Sequence, residues 1–309
     1  MSHRARDHHP EDLEAVLAEV AEEVRPRPGD AEHEEHGDED AGRFGLAVAR
    51  LDGEEVSTGD AEHPFPVQSI AKVFALTLAL QKVGEDLFER VGREPSGDPY
   101  NSLIQLEQEG GRPRNPFINS GALVVCDVLL DHCDDPWAEL SGLIADLTGA
   151  DVAVDEEVLA AEGRRGHRNA SMGYLMSSFG NVHHDVDEVM ALYTRQSSAL
   201  VDCHRLARAV RFLANDGVDP RTGRRVVSEP LARRINAVML TTGTYDSAGQ
   251  FAYEVGIPCK SGVSGAIVGD VPGRLGVCVW SPPLDPSGNS RAGRRALHLL
   301  VERLGLSVL

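Results

Sequence analysis

Apolar and polar positions repeat along this chain with two different periods, and the switches between them outline a fold. Residues 10 to 24, PEDLEAVLAEVAEEV, place Leu13, Val16, Leu17, Val20 and Val24 at helical spacing behind Pro10 and an acidic first turn. That segment predicts an amphipathic helix. FGLAVARL (44 to 51) and EEVSTGD (54 to 60) flank Asp52-Gly53, a pair suited to the tight turn of a hairpin, so two antiparallel strands are expected. SIAKVFALTLALQKV (69 to 83) is apolar for long enough to be a buried helix starting at or just before Ser69. From about 70 to 240 the helical period dominates, in SGALVVCDVLLDHC, WAELSGLIADLTG, DEVMALYTRQ and CHRLARAVRFLAND. Loops rich in Gly, Pro and Asn, such as REPSGDPYNS and GGRPRNPFINSG, separate these pieces. SGAIVGDV and RLGVCVWSP, split by Pro272-Gly273, return to strand before a closing helix in SRAGRRALHLLVERLG.

Strands at both ends of the chain around a helical middle predict an α+β fold, with one antiparallel sheet flanked by terminal helices and a helical subdomain inserted in it. On this reading the 309 residues form a single domain, in which 1–68 and 241–309 make an α/β subdomain and 69–240 the helical one. The stretch 29 to 41, GDAEHEEHGDEDA, is acidic without periodicity and is expected to be a solvated loop.

Charge and cysteine usage narrow the partners. A net charge of −19 repels polyanions, so neither nucleic acid nor an anionic membrane face is an expected partner. No segment has the length of a membrane helix, and MSHRARDHHPEDLEAV lacks the apolar core of a signal peptide, so a cytoplasmic location is expected. Five cysteines without a Cys-x-x-Cys pair fit reduced thiols.

Lysine usage points to chemistry. Of 30 basic residues only Lys72, Lys82 and Lys260 are lysines. Arginine cannot lose its proton in a protein whereas a buried lysine can, so a lysine surviving this bias is a candidate for proton transfer. Ser69 and Lys72, in FPVQSIAKVF, stand three apart on one helix face, where a neutral amine can take the serine hydroxyl proton. The serine amide at the helix start can also help hold an oxyanion. On spacing alone an ordinary helix with a snorkelling lysine explains the same pattern. CKSGVSGAIVGDV (259 to 271) supplies a second element: Lys260, Ser261 and Gly262 at the mouth of a strand. A Lys-Ser/Thr-Gly strand beside a Ser-x-x-Lys helix is the arrangement of penicillin-recognising serine enzymes.

The segments VQSIAKVF, REPSGDPYNSLIQLE, RNPFINSGALVVCDVL, SSFGNVHHDVDEVMALY, FLANDG, RRINAVMLTTGTYDSAGQFAYEVGIPCKSGVSG and VWSPPLDPSGNS together resemble the bacterial glutaminase family, from about residue 10 to the C-terminus. The resemblance implies a serine β-lactamase-like fold and hydrolysis of L-glutamine to L-glutamate and ammonia, without metal or organic cofactor, by a homo-oligomer, either tetramer or dimer. It implies Ser69 as nucleophile, Lys72 as its proton acceptor, Tyr193 as a proton-transfer and substrate-contacting residue, and Lys260 as electrostatic support. Asn119, Glu162, Asn169, Tyr245 and Val263 match its remaining substrate-binding positions. The chemistry of an α-amino acid suits these residues: Glu162 for the ammonium, the Asn119 and Asn169 amides for the carboxylate, and the backbone amides of Ser69 and Val263 for the oxyanion.

Each residue also has a plainer reading. Asn119 and Asn169 can cap helices, Tyr193 and Tyr245 can be core aromatics, and Glu162 can pair with Arg164 or Arg165 at the surface. His183-His184-Asp185 and the His33, His36 pair look like metal clusters, but adjacent histidines on a helix diverge and no third ligand stands at a recognisable spacing. The chain departs from the family where Ala161 precedes Glu162, where Val263-Ser264-Gly265-Ala266 replaces consecutive glycines, and in the acidic loop 29 to 41. Another serine amidase of the same fold, or a binding module for an amino acid, remains as an alternative.

Overall fold

A computed structural model describes residues 13–25, 40, 42–97 and 102–309 of the chain, with the Arg164 and Arg165 side chains excepted. The acidic stretch 29 to 41, apart from Asp40, and the His33, His36 pair lie outside the described residues. The first described helix, α1 (Leu13–Val24), buries Leu13, Leu17, Val20, Ala21 and Val24 as the single stripe its 3.6-residue period provides. The hairpin follows as β1 (Gly45–Arg50) and β2 (Glu55–Gly59). Its turn needs a left-handed residue, met by Gly53 at φ +101°, and the Glu54 amide donates to the Asp52 carboxylate at 3.0 Å.

After the hairpin come a two-residue strand, β3 (Phe65–Pro66), a 3₁₀ turn over Gln68–Ile70, and α2 (Ala71–Val83). The helical middle continues through α3 (Leu87–Arg90), α4 (Leu103–Gln108), α5 (Asn119–His132), α6 (Pro136–Thr148), α7 (Glu156–Arg165), α8 (His167–Ser178) and α9 (Val186–Ser197). After these come β4 (Leu200–Val201), α10 (Cys203–Ala209), α11 (Arg211–Ala214), α12 (Glu229–Thr242) and α13 (Ala248–Glu254). Caps set several starts: Asp135, Asp185 and Asp202 each accept a backbone N–H from the first turn of α6, α9 and α10 respectively. The chain ends with β5 (Cys259–Ser261), β6 (Ala266–Val271), β7 (Leu275–Trp280) and α14 (Arg291–Leu304).

These strands form one antiparallel sheet in the order β2-β1-β7-β6-β5, so the N-terminal hairpin docks on the C-terminal strands. Side-chain alternation splits the sheet between two cores. Leu46, Val48, Ile267, Val277 and Val279 pack with α1 and α14, while Ala47, Ala49, Val268, Cys278 and Trp280 face the helical middle. The small residues on that second face let α10 lie close: a Cβ on Gly276 would stand 2.2 Å from the Ala207 carbonyl oxygen. One antiparallel sheet flanked by α1 and α14, with helices between its strands in the chain, is the α+β architecture that the residue pattern predicts.

Three details differ from the sequence reading. Ser69 stands on the 3₁₀ turn, two residues before α2 begins at Ala71. β3 and β4 pair as a separate two-stranded ribbon, Phe65 with Val201 and Pro66 with Leu200, that no periodicity announces because each strand is two residues long. His183 and His184 are not on a helix. They precede α9, whose N-cap is Asp185, and both backbone N–H groups donate to the buried Asp127 of α5.

Candidate active site

The 3₁₀ turn carrying Ser69 is held from three sides. β3 before it is tied to β4, α2 follows without a break, and Gly262 at the end of β5 packs against it: a Cβ there would lie 3.2 Å from the Val67 carbonyl oxygen. The turn is strained. Gln68, immediately before Ser69, has φ +48°, a region that costs a non-glycine residue energy and is kept where surrounding contacts impose it.

One turn into the helix, Lys72 is 2% exposed. Its Nζ donates to the Phe117 carbonyl at 3.1 Å and to Asn119 Oδ1 at 2.7 Å, and lies 5.7 Å from the centre of the Tyr193 ring. Burial pushes the amine from its ordinary 10.5 down to about 7, with Cys126 drawing it slightly back. The Cys126 thiol is itself pushed up to about 12 by burial and stays neutral beside it. A lysine poised near neutrality can accept and return a proton. Asn119 is the first residue of α5, and its amide nitrogen donates onward to Asn169 Oδ1 on α8 at 3.0 Å. Two of the sequence candidates are thus joined in one chain of hydrogen bonds that ends on Lys72.

Lys260 is fully buried on β5. Its Nζ donates to the Ser261 carbonyl at 2.5 Å and lies 4.3 Å from the centre of the Tyr245 ring, whose hydroxyl donates to the same carbonyl at 3.2 Å. Tyr245 adopts φ +57° to reach that position. Burial, and then the charge of Lys72, hold the Lys260 amine well below its ordinary value. The resemblance gives Lys260 the part of electrostatic support; in the structure burial accounts for the lowering of Lys72, and the charge repulsion between the two amines appears at Lys260. Val263 stands 41% exposed on the turn after β5, which is pinned by Trp280 Nε1 donating to the Ser264 carbonyl at 2.8 Å. Glu162 is half-buried on α7, a helix packed on α9 that carries Tyr193.

The Phe117 carbonyl went unseen in the sequence, because a backbone atom has no residue signature; the only available signal was a proline-containing turn directly before Asn119. The histidine pair has company that spacing did not reveal. Asp127, Asp131 and His183 offer ligand atoms within 4.8 Å of one another, but Arg90 already pairs with Asp127, and the His184 ring and two backbone N–H groups fill its remaining acceptor positions. That arrangement ties α5 to the turn before α9 through Asp127.

Comparisons with known proteins bear on the fold and the family. The fold, with its Ser-x-x-Lys turn set against a Lys-Ser-Gly strand, is of the β-lactamase type. A family model described as Glutaminase matches residues 35–309, and the chain belongs to that family. It is 47% identical to the glutaminase of Pseudomonas fluorescens over 96% of this chain and all of that protein. A solved structure described as a probable glutaminase superposes with a TM-score of 0.91 at 32% identity, covering 98% of this chain and 99% of that one. The Bacillus subtilis glutaminase, solved as a covalent complex with 5-oxo-L-norleucine after reaction with 6-diazo-5-oxo-L-norleucine, superposes with a TM-score of 0.86 at 27% identity, over 96% and 100% of the two chains.

Proposed function

We propose that this chain hydrolyses L-glutamine to L-glutamate and ammonia, with Ser69 as nucleophile and Lys72 as proton acceptor. The activity follows from family membership over nearly the whole chain. The observation that carries the mechanism is the buried Lys72, held near neutrality three residues from Ser69.

Ser69 Oγ attacks the side-chain amide carbonyl and its proton passes to Lys72 Nζ, directly or through the Tyr193 hydroxyl. Backbone N–H groups of Ser69 and Val263 receive the oxyanion. Collapse breaks the C–N bond, and the leaving nitrogen takes the proton from Lys72 and departs as ammonia. Water then attacks the glutamyl ester and gives Lys72 a proton, which returns to Ser69 Oγ as glutamate leaves. Glu162 receives the substrate ammonium, and Asn119, Asn169 and Tyr245 line the rest of the amino-acid pocket. Lys260 supports the site electrostatically, and no metal or organic cofactor enters the scheme. We further assign residues 1–68 and 241–309 to one subdomain and 69–240 to the other, with the enzyme cytoplasmic and assembled as a homo-oligomer, a dimer or tetramer that light scattering will size.

The test is release of ammonia and glutamate from L-glutamine by wild type and Ser69→Ala, with L-asparagine and nitrocefin in parallel. Release by wild type alone is expected, together with a 6-diazo-5-oxo-L-norleucine adduct mapped by mass spectrometry to Ser69. An adduct on any other residue refutes the nucleophile assignment. Glutamine binding without ammonia release would make the chain a binding module, and nitrocefin turnover a different serine amidase.

A further inference from the structure

Lys72 is held by two acceptors, the Phe117 carbonyl and Asn119 Oδ1, and both belong to the short segment that winds into α5. A neutral amine has two N–H donors and one lone pair. Two fixed acceptors therefore occupy both donors and leave the lone pair with a single direction. What fixes that segment decides where the base points.

The residue that fixes it is Asn115, which is 1% exposed. Both ends of its side-chain amide are engaged. Oδ1 accepts the backbone N–H groups of Phe117 and Ile118, each at 3.0 Å, and Nδ2 donates to the Glu94 carbonyl at 2.9 Å. The neighbouring backbone is anchored on the same strip, with Gly92 N–H on the Pro113 carbonyl at 2.7 Å and Glu94 N–H on the Arg114 carbonyl at 2.8 Å. The loop is also wound tightly onto the helix it starts: a Cβ on Gly121 would stand 1.9 Å from the Asn115 carbonyl oxygen. With the Phe117 N–H turned inward to Asn115, the carbonyl of the same residue is free to face Lys72.

We propose that Asn115 is a positioning residue for the catalytic base, aiming the Lys72 lone pair by fixing the Phe117 carbonyl and the start of α5. This rests on the Ser69–Lys72 reading above. Asn115 touches no substrate in this role, so its removal acts chiefly on turnover and on the titration of Lys72, and on glutamine binding only through Asn119 at the start of α5.

The experiment compares wild type, Ser69→Ala, Asn115→Ala and Asn115→Asp, reading kcat, KM for glutamine, thermal midpoint and the pH profile of kcat/KM. In Asn115→Ala water enters the vacated polar space and the Phe117 carbonyl loosens. The expected result is a fall in kcat of about tenfold or more, with KM changed by less than about threefold. The acid limb of the profile moves to higher pH as Lys72 is rehydrated. Asn115→Asp keeps an oxygen for the two N–H groups, so its kcat on the alkaline plateau exceeds that of Asn115→Ala, while its charge also raises the acid limb. Should Asn115→Ala not fold, the aspartate variant carries the test through its plateau and limb. An Asn115→Ala enzyme with unchanged kcat and acid limb overturns the proposal, as does an aspartate variant with an unmoved limb or a plateau no higher than that of a folded Asn115→Ala. If wild type itself releases no ammonia, the glutaminase reading fails first and takes this one with it; if wild type is active and only Ser69→Ala is dead, the positioning role alone is lost.

Discussion

The Lys72 amine and the Asn119 side-chain oxygen lie 2.7 Å apart, which makes the titration of the base directly sensitive to the charge of its partner. Asn119→Asp places a carboxylate at that oxygen. Opposite charge favours the protonated amine, so the Lys72 pKa rises from about 7 by roughly one unit or more. On the proposed mechanism the neutral amine is the working form, so activity at neutral pH falls and the acid limb of kcat/KM moves upward, with partial recovery in alkali. A pH profile with its acid limb unmoved would separate Lys72 from the rate.

Burying two lysines is a cost to the fold, and its sign with pH can be worked out. The Lys72 pKa is about 7 in the native chain and 10.5 when exposed, so between these values the unfolded chain binds more protons and stability rises with pH. Lys72→Met removes the penalty without emptying the space. The variant is expected to be inactive yet to unfold several degrees higher than wild type near neutral pH. The gap should narrow as pH climbs toward 10.5, read by calorimetry across a pH series.

Gly262 allows β5 to lie against the Ser69 turn. Gly262→Ala brings a methyl to 3.2 Å from the Val67 carbonyl oxygen, a contact relieved by a shift of a few tenths of an ångström in the strained turn. The expected outcome is a loss of roughly tenfold in kcat with little change in thermal midpoint, because misplacing a reacting atom is felt far more in rate than in stability. Steady-state kinetics alongside a melting curve decide it.

Glu162 is assigned to the substrate ammonium, a charge-assisted bond worth about 1.5–3 kcal/mol. Glu162→Gln should therefore raise KM for glutamine by about tenfold or more at an alkaline plateau, leaving kcat less affected. An unchanged KM removes Glu162 from the pocket.

Arg90 occupies the position beside Asp127 that a cation at Asp127, Asp131 and His183 would need. Dialysis against a chelator is expected to leave turnover and thermal midpoint unchanged. A rise in midpoint on adding zinc to chelated protein would reveal a metal site there.

Long elements with one clear period were legible from the residues: α1, the β1–β2 hairpin, β6, β7 and α14 all lie within the predicted stretches. The β3–β4 ribbon was not, since two residues cannot display a period, and neither was the 3₁₀ start of the Ser69 helix, whose geometry is imposed by Gly262 and β4 from far along the chain. Lys72 and Lys260 stood out because lysine is rare in this chain. The cradle around Lys72 did not, because it is built partly from a backbone carbonyl. The histidine pair was misplaced onto a helix although Asp185, a strong N-cap residue directly after it, marks where that helix begins.

The strand order β2-β1-β7-β6-β5 has a bearing on how the protein is made. β1 lies between β2 and a strand that is not synthesised until residues 275–280, and the Ser69 turn meets its wall only at Gly262. A nascent chain on the ribosome thus carries serine and lysine long before it carries a site, and the central sheet must wait for its last strands before either face can be covered. Such long-range closure favours slow folding that completes only once those strands have emerged. The newborn polypeptide therefore cannot attack the amino-acid pool that feeds its own synthesis until β5, β6 and β7 have been made.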